Sequence, residues 1–262
     1  MISPPPTVEL QTMVESNRLD EYFPSWQSIE IFGAPGAGKT FLCRQMKERD
    51  LCLVTSDDQA IRHFVDTGKP KTTRVAARMA GPRLMKNYYK FHQNRMTQRF
   101  WAGDDANLRG YIGMVEQALR HAQLRLSSEK NVRKSVRNTG LAIALSIAEE
   151  NRILVDEGLV RKFITLIVQS NAEGEPSLLI DLLRSCLTAY PWQKSAIFLN
   201  APESLSIERQ AARGHMIQRA HRPQAAHQAA AEQVWDLCNE AGWKTLRVQN
   251  ATNRPDLPVA NT

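Results

Sequence analysis

Long apolar runs are missing from this sequence. None approaches the roughly 20 residues a helix needs to cross a bilayer, so hydropathy argues against a membrane span. Cysteine is scarce as well. Cys43, Cys52, Cys186 and Cys238 stand far apart and share no metal-ligand spacing. That argues against a zinc module or a disulfide-stapled scaffold and points to buried thiols in a reducing compartment. The opening residues, MISPPPTVELQ, have neither a basic run nor an apolar core, and do not read as a signal peptide. A cytoplasmic location is expected. There is no internal repeat and no low-complexity tract. Hydrophobic residues at 42% and charged residues at 23% are ordinary for a globular chain, which excludes a disordered one. The 262 residues suit one α/β domain carrying an insertion.

What is present is charge of one sign in one place. The chain's net charge is +7, yet residues 60–137 hold 17 Lys/Arg against 5 Asp/Glu, a net of +12, so the remainder is acidic by 5. Such a stretch attracts anions: phosphates, nucleic acid, an acidic sugar or a lipid head group. A solvated helical surface is the equal alternative.

Patterning divides the chain. Residues 1–26 read as a loose start followed by a short helix, since Pro4, Pro5 and Pro6 cannot be helical. Residues 29–32 are a short apolar strand, 40–49 a helix and 51–54 a second strand. Residues 59–150 contain no convincing strand. Leu108, Tyr111, Ile112, Val115, Leu119, Ala122 and Leu126 recur at helical spacing, as do Val132, Val136, Ile143 and Ile147. Strands are expected again at 152–155, 195–199 and 245–248. Helices are expected from Pro176, over 202–213 and over 224–240. The expected organisation is an extension at 1–26, a core at 27–58 and 151–252, a basic helical insertion at 59–150 that holds an acceptor or partner, and a loose tail at 253–262.

The first strand opens into Gly33-Ala34-Pro35-Gly36-Ala37-Gly38-Lys39-Thr40, which satisfies G-x-x-x-x-G-K-[ST]. Glycines let the backbone curl so that its N–H groups cradle phosphate oxygens, and the following helix adds positive dipole. Lys39 is expected to reach the β- and γ-phosphates of a nucleoside triphosphate, and the Thr40 hydroxyl to bind Mg²⁺. Phe41, next in the chain, completes the expected nucleotide-contacting set. The expected fold is an α/β P-loop NTPase three-layer sandwich, with a five-stranded parallel sheet and a large helical insertion.

A second carboxylate must hold the metal at the end of a neighbouring strand. The segment ILVDEG supplies Asp156 for that role. Glu157 fits a second metal-shell group, a general base or an acceptor-aligning residue. Asp57 and Asp58, at the end of the second strand, are rival bases, or a simple helix cap. Downstream, Arg209 and Arg213 lie four apart on one helix face, with Arg219 and Arg222 beyond Gly214. Arginines on a flap supply the positive charge that phosphoryl transfer requires.

With GAPGAGKT, ILVDEG and FLNAPESLSIERQAARG in view, the chain resembles the P-loop kinases of small molecules, the thymidylate, adenylate and deoxynucleoside kinases. The resemblance covers the β-core. It implies that Arg209, Arg213, Arg219 and Arg222 clasp ATP phosphates, and that the loop 249–252, with Asn250, contacts adenine. One departure concerns the acceptor: the nucleoside-monophosphate kinases carry an Asp-Arg pair near the second-site strand, whereas here Glu157 follows Asp156.

The leading expectation is a kinase that moves the γ-phosphoryl of MgATP to a hydroxyl or phosphate of a nucleoside, a nucleotide or a sugar precursor. The basic stretch, interleaved with Tyr88, Tyr89, Phe91, Phe100 and Trp101, would then hold an anionic or sugar-bearing acceptor. The alternative is an NTP hydrolase or switch whose basic helices bind protein or nucleic acid. The chain lacks an LSGGQ-type signature and a guanine-reading NKxD motif, which weighs against it. A plain nucleic-acid-binding module would leave the glycine-rich loop unexplained.

Overall fold

The computed structural model describes residues 7–16, 19–48, 53–55, 62, 82–101, 105–124, 126–156, 158–170, 176–212 and 224–251. In chain order the elements are β1 (Thr7–Glu9), α1 (Leu10–Ser16), α2 (Leu19–Tyr22), β2 (Ser28–Phe32), α3 (Lys39–Glu48) and β3 (Leu53–Thr55). Three helices follow: α4 (Pro82–Trp101), α5 (Ala106–His121) and α6 (Leu126–Ala148). Then come β4 (Ile153–Asp156), α7 (Leu159–Gln169), α8 (Pro176–Thr188), β5 (Ser195–Asn200), α9 (Glu203–Ala212), α10 (Gln224–Glu240) and β6 (Lys244–Gln249).

The strands form one sheet in the order β1-β6-β5-β2-β4-β3, every pairing parallel. Parallel strands must be covered on both faces, and their sequences accordingly read as apolar runs. All five residues of β2 are buried. Its pleat sends Ile29 and Ile31 to one face, where Leu10, Met13, Leu19, Leu42 and Met46 pack from α1, α2 and α3. Phe32 faces the other layer, built from α5, α6, α7, α8 and α10. The helical stripe expected on α5 is realised: Leu108, Tyr111, Val115, Leu119 and Ala122 are buried. Asp105 caps that helix, its side chain accepting from the N–H groups of Asn107 and Leu108 at 2.9 and 3.1 Å. Both α5 and α6 share the core of this face, whereas α4 rests on a small separate patch of Leu141 and Leu145.

Two elements correct the sequence expectation. The sheet has six strands, not five: Thr7–Glu9 adds to the edge of β6, pairing Thr7 with Arg247 and Glu9 with Gln249. Thr7–Glu9, expected within a loose extension, is therefore part of the sheet. The second is α7, LVRKFITLIVQ, which no expectation covered. Its β-branched and aromatic content disfavours a helix locally. Six of its residues are buried against the sheet and α10, and that packing overrides the propensity.

A buried carboxylate fixes where α7 starts. Glu30 on β2 is 2% exposed. Its Oε2 accepts the Val160 N–H at 2.8 Å, and its Oε1 accepts the Tyr190 hydroxyl at 2.6 Å. Gly158 offers α7 no side-chain cap, so Glu30 satisfies a helix-start donor from another strand. Around it lie Tyr111, Tyr190, Cys186 and Cys238. Burial raises all four above their ordinary pKa values, Cys186 to about 12, and the Glu30 charge adds to the rise for the two tyrosines and Cys238.

Glu30→Ala would strand two buried donors and is expected to cost about 3 kcal/mol or more, read by urea unfolding. The same cluster sets a pH dependence. Each of the four groups has a folded pKa above its unfolded one, so the unfolded chain loses protons first. Their contribution is complete below about pH 8.5, the ordinary thiol value, and drains away as pH climbs toward the folded values. The urea midpoint is expected to fall steadily on the alkaline side of that value.

Candidate functional site

In the sheet, β2 is the strand about which the chain changes sides. β3 and β4 are laid on one flank, then β5 and β6 on the other. At such a switch point the carboxyl ends of the strands leave a crevice for a ligand. The loop 33–38 leaves the end of β2 at that place and runs directly into α3.

Local packing explains the glycines. Gly33 has φ +145°, and a Cβ there would stand 2.2 Å from the Leu199 carbonyl oxygen of β5. Gly36 has φ +84°, and a Cβ there would meet the Ser206 carbonyl oxygen of α9 at 2.5 Å. Both obstacles are backbone, so neither position admits a side chain.

The carbonyls of the loop are taken, one after another. Lys39 Nζ donates to the oxygens of Gly33 at 2.9 Å and Ala34 at 3.0 Å. The Pro35 oxygen accepts from Gln224 Nε2 at 2.8 Å and Gln210 Nε2 at 3.3 Å. The Gly36 oxygen accepts from Arg209 at 3.2 Å, and the Ala37 oxygen from Asn250 Nδ2 at 2.8 Å. The Gly38 oxygen accepts the Leu42 N–H at 3.0 Å, the first helical bond of α3. Asn250 Oδ1 in turn accepts from Arg209 at 3.1 Å. Gln210 also donates to Gln224 Oε1 at 3.1 Å, joining α9 to α10 beneath the loop.

Lys39 is 8% exposed, its ammonium folded back onto the loop. Thr40 is exposed, and Phe41 is half-buried against the core of α3's face. Asp156 ends β4, paired in register with Ile31 of β2, so it stands beside the loop's point of departure. Its Oδ1 is buried and has no hydrogen-bond partner among the described residues. A carboxylate oxygen held that way is a hard donor of the kind that suits Mg²⁺. Arg161, on the first turn of α7, is half-buried. Burial lowers its pKa, and the Asp156 charge partly restores it.

Of the residues expected from sequence, the structure gathers Gly33, Ala34, Pro35, Gly36, Ala37, Gly38, Lys39, Thr40, Arg209, Asn250 and Asp156 at one end of the sheet. Arg209 and Asn250 grip the loop itself, with both ends of the Asn250 amide engaged. Asp57, Asp58, Glu157, Arg213, Arg219, Arg222 and Cys52 lie outside the described residues. Sequence reasoning missed Gln210, Gln224, Arg161 and Glu30. The first two carry no motif, and their partner Pro35 lies far away in the chain. Among the described residues no helix is long and apolar enough to cross a membrane. No family model matches the chain, and no curated protein matches it.

Arg209→Ala and Asn250→Ala are each expected to cost about 1–3 kcal/mol by leaving loop carbonyls unpaired. Because they serve one network, the double variant should lose about 1 kcal/mol less than the two losses combined. Thermal unfolding of the four proteins checks this; strict additivity would contradict a shared network.

Proposed function

We propose that the chain is a P-loop phosphotransferase, an enzyme that binds a nucleoside triphosphate on the loop 33–40. The particular reaction is transfer of the γ-phosphoryl of ATP to an oxygen of a small acceptor, leaving ADP. The observation that carries this reading is the pairing of all six carbonyls from Gly33 to Gly38. A loop whose carbonyls are so paired turns its remaining N–H groups to a ligand, and the Lys39 ammonium, held on the Gly33 and Ala34 oxygens, stands at the same place; such donors suit phosphate oxygens.

Lys39 exchanges the Gly33 and Ala34 oxygens for phosphate oxygens when the triphosphate enters. Thr40 and Asp156 would hold Mg²⁺, which supplies positive charge to the β- and γ-phosphates. Asp156 reaches that role from β4, beside β2, and Glu30 keeps the turn after it in place through α7. Arg161 brings a permanent cation to the same end of the sheet, which supports an acceptor with an anionic group over a neutral one. Arg213 and Arg219, which follow α9, are the remaining candidates for contacts to the moving phosphoryl. Asp57 and Glu157 are the candidate bases.

Lys39→Ala is expected to lower triphosphate turnover by at least roughly a hundredfold. Asp156→Asn should raise the Mg²⁺ concentration needed for half-maximal rate by roughly tenfold to a hundredfold. The assay is ATP consumption with Mg²⁺, first alone and then with nucleosides, nucleotides and phosphorylatable sugars. Consumption that rises with one acceptor establishes the transferase. Consumption indifferent to the whole panel would replace it with a hydrolase, and normal turnover in Lys39→Ala would move the site.

A further inference from the structure

The helix α4 takes no part in the loop site, yet it carries the most one-sided charge among the described elements. Its 20 residues include Arg83, Lys86, Lys90, Arg95 and Arg99 and no Asp or Glu. The structure sorts them. Tyr88, Tyr89, Met96 and Phe100 turn toward Leu141 and Leu145 of α6. The opposite face, exposed along its length, presents Lys86, Asn87, Lys90, Phe91, Asn94, Arg95, Gln98 and Arg99. These recur at three- and four-residue steps, so four cations and three amides line one stripe about 20 Å long. In its midst Phe91 is 62% exposed, the most exposed large apolar side chain among the described residues.

A second row of cations extends this surface. On α6, Lys130, Lys134 and Arg137 are exposed at helical spacing, and the same stripe continues at Leu141 and Leu145, on which α4 sits. Both cationic rows therefore lie on one side of the helical layer. Arg62, over the Tyr89 ring at 5.4 Å, adds to it.

We propose that the solvent face of α4 binds single-stranded nucleic acid. The cations and amides suit a run of phosphates, and Phe91, flanked by Lys90 and Arg95, offers a ring on which an unpaired base stacks. A bilayer fits the surface poorly. An interfacial helix needs its apolar face free, and here that face is spent on α6.

The test is fluorescence-anisotropy titration of the full chain against a labelled oligothymidylate of about 20 nucleotides, repeated over a range of salt. The same oligonucleotide in a duplex and vesicles containing phosphatidylserine serve as comparisons. Tight single-strand binding that weakens steeply with salt is expected. Replacing Lys86, Lys90, Arg95 and Arg99 with Gln should reduce the log–log salt slope by about 3. Phe91→Ala should weaken binding roughly tenfold with the slope unchanged, and Phe91→Trp should restore it. All five side chains are exposed, and unchanged urea midpoints verify that the fold persists. Binding to vesicles without binding to the oligonucleotide would overturn the proposal. Equal affinity for duplex together with indifference to Phe91→Ala would overturn it too, as would a slope unmoved by the Gln substitutions.

Discussion

Six consecutive carbonyl groups, met by six donor residues, form the constraint on which the carboxyl end of the sheet depends. A tight loop at a buried strand end carries backbone oxygens largely withdrawn from water, and those that are buried must be met. Here the donors arrive from four directions: Lys39 and Leu42 from α3, Arg209 and Gln210 from α9, Gln224 from α10, and Asn250 from the end of β6. The sheet order makes this convergence possible. With β2 between β4 and β5, the segments that follow β5 and β6 reach the loop that follows β2. The close approach of Leu199 and Ser206 is the other side of the same packing, and it leaves room only for glycine at two positions.

Glu30 extends the constraint below the loop. A strand otherwise made of apolar and small residues carries one carboxylate, and that carboxylate holds the start of α7 and the Tyr190 hydroxyl. The start of α7, which follows β4, is thereby tied to the strand that precedes the glycines. Two stretches far apart in the chain become one rigid corner, which is what the proposed metal-holding role of Asp156 requires.

Much of this corner was legible in the sequence because its signals are local. The glycine spacing, the apolar runs of β2, β4, β5 and β6 and the acid at the end of β4 each occupy a few consecutive residues. The missing parts are those whose partners are distant. Thr7–Glu9 has no strand signature of its own and becomes a strand by pairing with β6. The residues of α7 favour a strand locally and become a helix because two layers enclose them. Glu30 lies inside a segment read only as an apolar strand, and its part emerges when Val160 and Tyr190 are placed beside it. Asn250 was expected near a nucleotide base from resemblance alone; its hydrogen bonds to Ala37 and Arg209, far away in the chain, had no signal in the sequence.

The pairing of Thr7 with Arg247 carries a consequence for how the chain matures on the ribosome. Synthesis proceeds from the N-terminus, at roughly 5–20 residues per second. Among the strands described, β1 is translated before the others, and its sheet neighbour β6 after them. β1 therefore waits, unpaired, through the translation of every other strand, and the edge it covers closes only after β6 has docked on β5. Contacts of such long sequence separation form slowly. A chain halted before β6 leaves β1 without its partner.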